Sequence, residues 1–289
     1  AQNPGNFERI RPATITGRFG NIQNGRLLFQ GDAIDLQADT KFEKATLYAT
    51  SEEKQESAAP TQLRTNGYSL IMGNYISFDQ KSTGKKEGIR SITVIGSKPN
   101  GKSTGSITLY SGKYSQVFAS GQAIEIKGGT IDELYGGSLS DDIKGNTEVK
   151  VQGHTNIKNL YGGNLQGTIS GNSVVKVYGG RIGNVFGGSK KGNIIGETFV
   201  NIGIENDTKS TNKLIAIGNI YGGNDETGNI GNNKANKGTH INIYGGKIGY
   251  VYGASKGLRL DKKDAYQNAE TPARPHVAAT WINIAASCS

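Results

Sequence analysis

The chain has 289 residues, of which 43 are Gly and only 6 Pro, so it is Gly-rich without the composition of a collagen-like repeat. Hydrophobic residues make up 34 %, and no run approaches the roughly 18 apolar residues of a membrane-spanning helix, which excludes a helical span in this segment. Lys and Arg (33) exceed Asp and Glu (24) for a net charge of +9, which suits anionic partners, and the single Cys288 excludes an intrachain disulfide or a CxxC-type zinc site.

The opening AQNPGN is similar to the small-residue and Gln start left after removal of a secretory signal, and it predicts an extracellular or cell-surface protein. Over the first 90 residues LLFQGDAIDLQAD, ATLYA, SLIMGNYISF and SITVIG read as strands, with the polar stretch TSEEKQESAAP at 50–60 between them. An open end of a stacked structure needs a cap with a polar outer face. Residues 1–60 are accordingly assigned to an N-terminal cap or irregular first coils, and 61–289 to a repetitive domain whose best copies span 107–255.

From Ile107 onward three phrases recur. The first, an apolar–polar–apolar triplet closed by Gly-Gly, reads IEIKGG from Ile124, VKVYGG from Val175 and INIYGG from Ile241, with partial copies from Ile107, Val149, Val200 and Trp281. The second reads IDELYGG from Ile131, IKNLYGG from Ile157, IGNVFGG from Ile182, IGNIYGG from Ile217 and IGYVYGA from Ile248, with YSQVFAS from Tyr114 as a degenerate copy. A third, weaker phrase places Ile143, Ile169, Ile194 with Ile195, and Ile230 among Gly and Asn. First phrases are spaced by 17, 25, 26, 25, 41 and 41 residues.

Alternation in VKV and INI is the period-2 mark of a half-buried strand, and Gly-Gly supplies the sharp turn after it. Three short strands per 25-residue period, with Val149, Val175 and Val200 stacked into one apolar column, predict an all-β, right-handed parallel β-helix, or β-solenoid. Gly at this density opposes a helical repeat. The longer spacings come from polar inserts at 203–213, 226–238 and 255–275, and long loops are expected along one edge, a natural place for binding residues.

Outward aromatics are the first candidates for function. Tyr178 and Tyr244 follow the inward apolar residues of the first phrase, as does Tyr110. Tyr135, Tyr161, Phe186, Tyr221 and Tyr252 follow those of the second, one ring per strand spacing of about 4.8 Å. Such a file offers a flat platform on which sugar faces stack, or it simply steadies neighbouring strands. Lys150 and Lys176 on the outer face of the first phrase, with Arg181 nearby, suggest a basic stripe for an acidic polymer. Ser138, Asn164, Ser189 and Asn224 after the second Gly-Gly suggest a hydrogen-bonded ladder holding a turn.

Catalytic patterns are sparse. Glycoside hydrolysis needs two carboxylates flanking one bond, and the only acidic pairs of interest are Asp141 with Asp142 and Asp225 with Glu226, whose members, adjacent on the chain, point to opposite faces. His154, His240 and His276 are too far apart to suggest a zinc cluster. The four acidic residues are those that would recruit calcium opportunistically, but no calcium nonapeptide, dedicated metal site or nucleotide-binding loop is present, and no cofactor is expected.

The phrases VKVYGGRIGNVFGG, INIYGGKIGYVYGA and IKNLYGGNLQG resemble the Gly-Gly and Tyr-Gly-Gly repeats of large bacterial adhesin-like surface proteins. The resemblance covers 107–255 and implies a β-helix on the cell surface. Together the readings predict a non-catalytic adhesin or glycan-binding module whose partner is a glycan or anionic surface polymer, with a host or cell-surface protein as a further partner class. The rival readings are a polysaccharide lyase or glycoside hydrolase of the pectate-lyase-like β-helix type, and a structural stalk.

Overall fold

The computed structural model describes residues 14–17, 20–30, 33–50, 62–80, 88–89, 91–97, 105–208, 210–231, 236–257 and 275–285. Nearly all of this is β-structure. An 18-stranded sheet dominates, joined by a 4-stranded and a 2-stranded sheet. No helix among the described residues is long and apolar enough to cross a membrane.

Within the large sheet the pairings are parallel, and the repeat phrases set their register. In the first phrase Ile107 pairs with Ile124, Ile124 with Val149, Val149 with Val175, Val175 with Val200, Val200 with Ile241 and Ile241 with Ile282. In the second, Ile131 pairs with Ile157, Ile157 with Ile182, Ile182 with Ile217 and Ile217 with Ile248. The weak third phrase also aligns, through Ile143 with Ile169, Ile169 with Ile194, Ile194 with Ile230 and Ile230 with Val277. The 41-residue spacings therefore loop out without disturbing the register. This architecture is compatible with a β-helix.

The same pairing continues before residue 107, where the sequence hardly repeats. Leu70 pairs with Ile107 and Thr40 with Leu70, while Ile34 pairs with Leu63 and Leu63 with Val94. A parallel ladder needs backbone and an inward apolar residue at alternate positions, not a conserved phrase. Residues 1–13 and 51–61 lie outside the described residues, as does most of the insert at 255–275.

Period-2 alternation fills the core. In Ser173–Val177 residues 173, 175 and 177 are buried and the two between are half-buried. Val149, Val151, Val175, Val177, Val200 and Ile202 join Ile131, Leu134, Ile157, Leu160, Ile182 and Val185 in a single apolar cluster. The chain passes from the first phrase to the second through Gly129 and Gly180, at φ +94° and +98°, a conformation that a Cβ disfavours.

Two polar ladders pin the turns. Backbone N–H groups of Ser138, Asn164, Ser189 and Asn224 donate to the side chains of Asn164 (2.8 Å), Ser189 (3.0 Å), Asn224 (2.7 Å) and Ser255 (2.9 Å), each on the next repeat. The hydroxyls of Thr147 and Ser173 donate to the carbonyls of Gly162 (2.7 Å) and Gly187 (2.6 Å), joining the start of a first phrase to the end of the second. Buried backbone groups that would otherwise lack partners are thereby satisfied.

Candidate functional site

The outer face of the first-phrase strands carries a cleft of about 930 Å³. Tyr110, Tyr178 and Tyr244 line it with Lys127, Lys150, Gln152, Lys176 and Asn201, and the insert supplies one wall through Ile204, Glu205, Thr211 and Leu214. The residue after the inward pair of each first phrase decides the cleft floor. Backbone bonds Tyr178 N–H to Val151 O, Gly203 N–H to Val177 O and Tyr244 N–H to Ile202 O put these three residues on consecutive rungs. Gly203 puts no ring on the rung between Tyr178 and Tyr244, which stand two strand spacings or about 9.6 Å apart, and the Asn212 amide fills the space beside it, with Oδ1 2.7 Å from where a Cβ would stand.

The wall is held in place. Thr211–Leu214 forms one 3-10 turn, and Asn212 inside it donates from Nδ2 to the carbonyls of Ile204 (3.0 Å) and Tyr244 (3.1 Å) while Oδ1 accepts from Ile204 N–H (2.8 Å). Gly203 takes φ +82° to launch the insert from the strand. A loop fixed by hydrogen bonds at both ends is a pre-formed wall, which lowers the ordering cost of binding.

The expected basic stripe is neutralised by its surroundings. Glu125 accepts from Lys127 (3.0 Å) and Lys150 (2.7 Å), and Glu148 from Lys176 (2.9 Å). With Glu205 in the wall, three carboxylates face three ammonium groups. Burial opposes the charge on Glu125, but the bonds from Lys150 and Lys127 outweigh it and hold its carboxyl below the ordinary value. The Glu125 carboxylate, and after it the Tyr110 hydroxyl, raise Lys127. Lys127 also lies 5.0 Å from the Tyr110 ring centroid, within cation–π range.

Of the other predicted ligand-binding residues, those of the second phrase need correction. Phe118, Tyr135, Tyr161, Phe186, Tyr221 and Tyr252 do form one file, with centroid spacings of 4.7, 4.6, 4.9, 4.9 and 4.8 Å. Tyr135, Tyr161 and Phe186 are nonetheless buried, so they offer no platform, and Tyr221 is half-buried; Tyr252 is exposed. The rings sit in their own cluster, away from the main core, with Leu165 packed against it. Lys256 lies 5.7 Å from the Phe186 ring. Arg181 is exposed and lies outside the cleft lining.

The acidic candidates do not converge either. Asp141 and Asp142 are exposed, and Asp142 accepts from Thr168 N–H at 2.7 Å as a turn cap. Asp225 is buried, accepting from the Tyr161 hydroxyl (2.9 Å) and Lys256 (2.7 Å), while Glu226 pairs with Lys191 at 3.3 Å. Among the described residues no three His, Cys, Asp or Glu side chains gather at one place.

One carboxylate missed by sequence reasoning, Glu133, accepts from Gln116 (2.8 Å), Lys190 (2.9 Å) and the Tyr135 hydroxyl (3.1 Å). Burial opposes its charge, but these bonds prevail and lower its pKa from 4.5. A depressed folded value means that the stabilisation is present above the unfolded pKa and is lost as pH falls through the folded one. The Tm of the wild type should therefore fall more steeply between about pH 5 and about pH 3 than that of Glu133→Gln. Parallel Tm curves for the two proteins would refute a stabilising role for this carboxylate.

No protein-family model matches the chain, and neither curated proteins nor solved structures give a significant match.

Proposed function

We propose that this chain is a right-handed parallel β-helix of about 25-residue coils, with residues 1–60 as its cap or irregular first coils and 61–289 as its body. Its function is that of a non-catalytic adhesin or glycan-binding module displayed outside a bacterial cell, the role implied by the resemblance to adhesin-like repeats. The cleft is the binding site. What carries this reading is the cleft itself, with the Tyr178 and Tyr244 rungs in its floor, no ring on the Gly203 rung between them, and a pinned insert as its wall. Flat apolar faces rimmed by hydroxyl, amide and ammonium groups match a sugar ring, which presents C–H on its faces and hydroxyls at its edge.

Charge balance in the cleft decides between sugar classes. With each lysine already held by a carboxylate, an acidic polymer would have to break those pairs, whereas a neutral glycan hydrogen-bonds to them as they stand. Affinity electrophoresis against neutral and acidic polysaccharides tests this. Retardation by a neutral polymer should persist near 1 M salt, where the screening length is about 3 Å. The Tyr178→Ala, Tyr244→Ala double variant should lose it with little change in Tm. Shortening of the polymer would instead establish an enzyme, and absence of retardation by every polymer would leave a structural stalk or a protein-binding module.

A further inference from the structure

The two ends of the stack carry the same two strand columns. One runs from Ile15 in Thr14–Gly17 through Ile34, Leu63 and Leu134 to Val251 in Lys247–Tyr252. The other runs from Ile22 in Asn21–Gln23 through Phe42 to Ile284 in Ala279–Ile284. Every pairing in both is parallel, so each rung offers the next one the same kind of edge.

Apolar surface lies open where the columns stop. Ile241 and Ile243 are 0 % and 4 % exposed, whereas Ile282 and Ile284, one rung further on, are 45 % and 58 % exposed. Ile248 and Val251 on the neighbouring column are half-buried. Ala285 N–H donates to Ile243 O, and alternate residues of a parallel strand bond to opposite neighbours, so the backbone groups of Ile282 and Ile284 face the open edge. At the other end Lys41 N–H donates to Gly20 O and Asn24 N–H to Glu43 O. Asn21 and Gln23 therefore direct their backbone groups away from the stack. Ile22 between them is half-buried, while its column partner Phe42 is fully covered.

The ends also match in the order of their strands. In each coil the chain passes from the first-phrase column to the second and then back to the first. Ala279–Ile284 is a first-phrase strand, and among the described residues no second-phrase strand follows it beside Lys247–Tyr252. Thr14–Gly17, the first described strand, belongs to the second-phrase column and leads into Asn21–Gln23 in the first. One end thus supplies the strand that the other lacks, in the order that the coil requires.

We propose that a second copy of this chain docks head to tail on the open end, adding its Thr14–Gly17 beside Lys247–Tyr252 and its Asn21–Gln23 beside Ala279–Ile284. Ile15 then falls in register with Val251, and Ile22 with Ile284. Such a join is heterologous; it leaves one end of each kind free and so repeats into a filament. A two-fold pairing of two open ends would instead set the strands antiparallel and break the columns. The join rests on the stacked-coil reading and is independent of the glycan one.

Sedimentation velocity and small-angle scattering over a range of concentrations test it. The wild type should pass from monomer to elongated oligomers. Ile284→Asp, at an exposed position, should block the tail and stay monomeric. Gln23→Pro, and independently Asn21→Pro, should block the head and stay monomeric, since these N–H groups serve no pairing within the stack. An equimolar mixture of Ile284→Asp and Gln23→Pro should form dimers and nothing larger, because one intact head meets one intact tail. A wild type that is monomeric at every concentration, or an Ile284→Asp protein that assembles like it, would overturn the join. Dimers of both head variants alone would replace it with a two-fold pairing of tails. An elongated wild-type monomer would overturn the join only, and a globular one the stacked-coil reading as well.

Discussion

Gly162→Ala should unfold or severely destabilise the protein, by about 3 kcal/mol, the upper end of the cost of overpacking. A Cβ at this position would lie 2.5 Å from the Gly187 carbonyl oxygen and 2.9 Å from Val175 Cγ2, with Ser173 Oγ nearer still. None of these can step aside. Gly187 O already accepts from Ser173 Oγ, and Val175 is locked between Val149 and Val200. Gly162 is itself tethered, its N–H donating to Phe186 O at 2.9 Å and its carbonyl accepting from Thr147.

The equivalent Gly136, Gly187 and Gly222 each face the carbonyl of the matching glycine on the next repeat, so the requirement recurs along the stack. Gly145 is the control. It has φ +107° but nothing within 4 Å of a Cβ, and Gly145→Ala should cost only the backbone strain of about 1–2 kcal/mol. Urea unfolding of the two variants separates close approach from conformation. A Gly162→Ala protein as stable as Gly145→Ala would refute the packing argument.

Tyr161→Ala is the other large effect, about 3–5 kcal/mol for removal of a buried aromatic ring. The ring lies between Tyr135 at 4.6 Å and Phe186 at 4.9 Å, so the variant opens a gap in the middle of the file. Tyr161→Phe should cost only about 1 kcal/mol, because Asp225 keeps Lys256 at 2.7 Å when the hydroxyl bond is lost. Phe already fills the same position at 118 and 186. Calorimetric unfolding of both variants checks the ordering. Equal losses would mean that the hydroxyl, not the ring, holds this part of the structure together.

The placement of these rings shows where sequence patterning is sufficient and where it is not. Strict alternation puts Tyr135 on the side opposite Leu134, and it does leave the main core for a separate cluster. A residue opposite the core is not thereby exposed. What covers the rings is chain beyond the next Gly-Gly turns, through Leu165, Asp225 and Lys256, none of which lies next to a ring in sequence. The stack of Phe199, His240 and Trp281, at 4.6 and 4.4 Å, is illegible in the sequence for a different reason. Its members sit before the triplet that defines the repeat, and three unlike residue types share only an aromatic ring. The cleft lay half in view: Tyr178, Tyr244, Lys150 and Lys176 were legible as outward positions, and the insert that walls it was legible as an insert.

The sequence by itself determined the all-β class, the strand positions and the register of the first and second phrases, including the two 41-residue steps. It could do so because alternation of period two and the spacing of Gly-Gly turns act locally, rung by rung. The tertiary structure alone decided which outward residues are covered, which lysines are already paired with carboxylates, and that the 203–213 insert stands beside the first-phrase face as the wall of the cleft. Those outcomes depend on segments brought together across repeats, and contacts between residues distant in sequence leave no periodic trace along the chain.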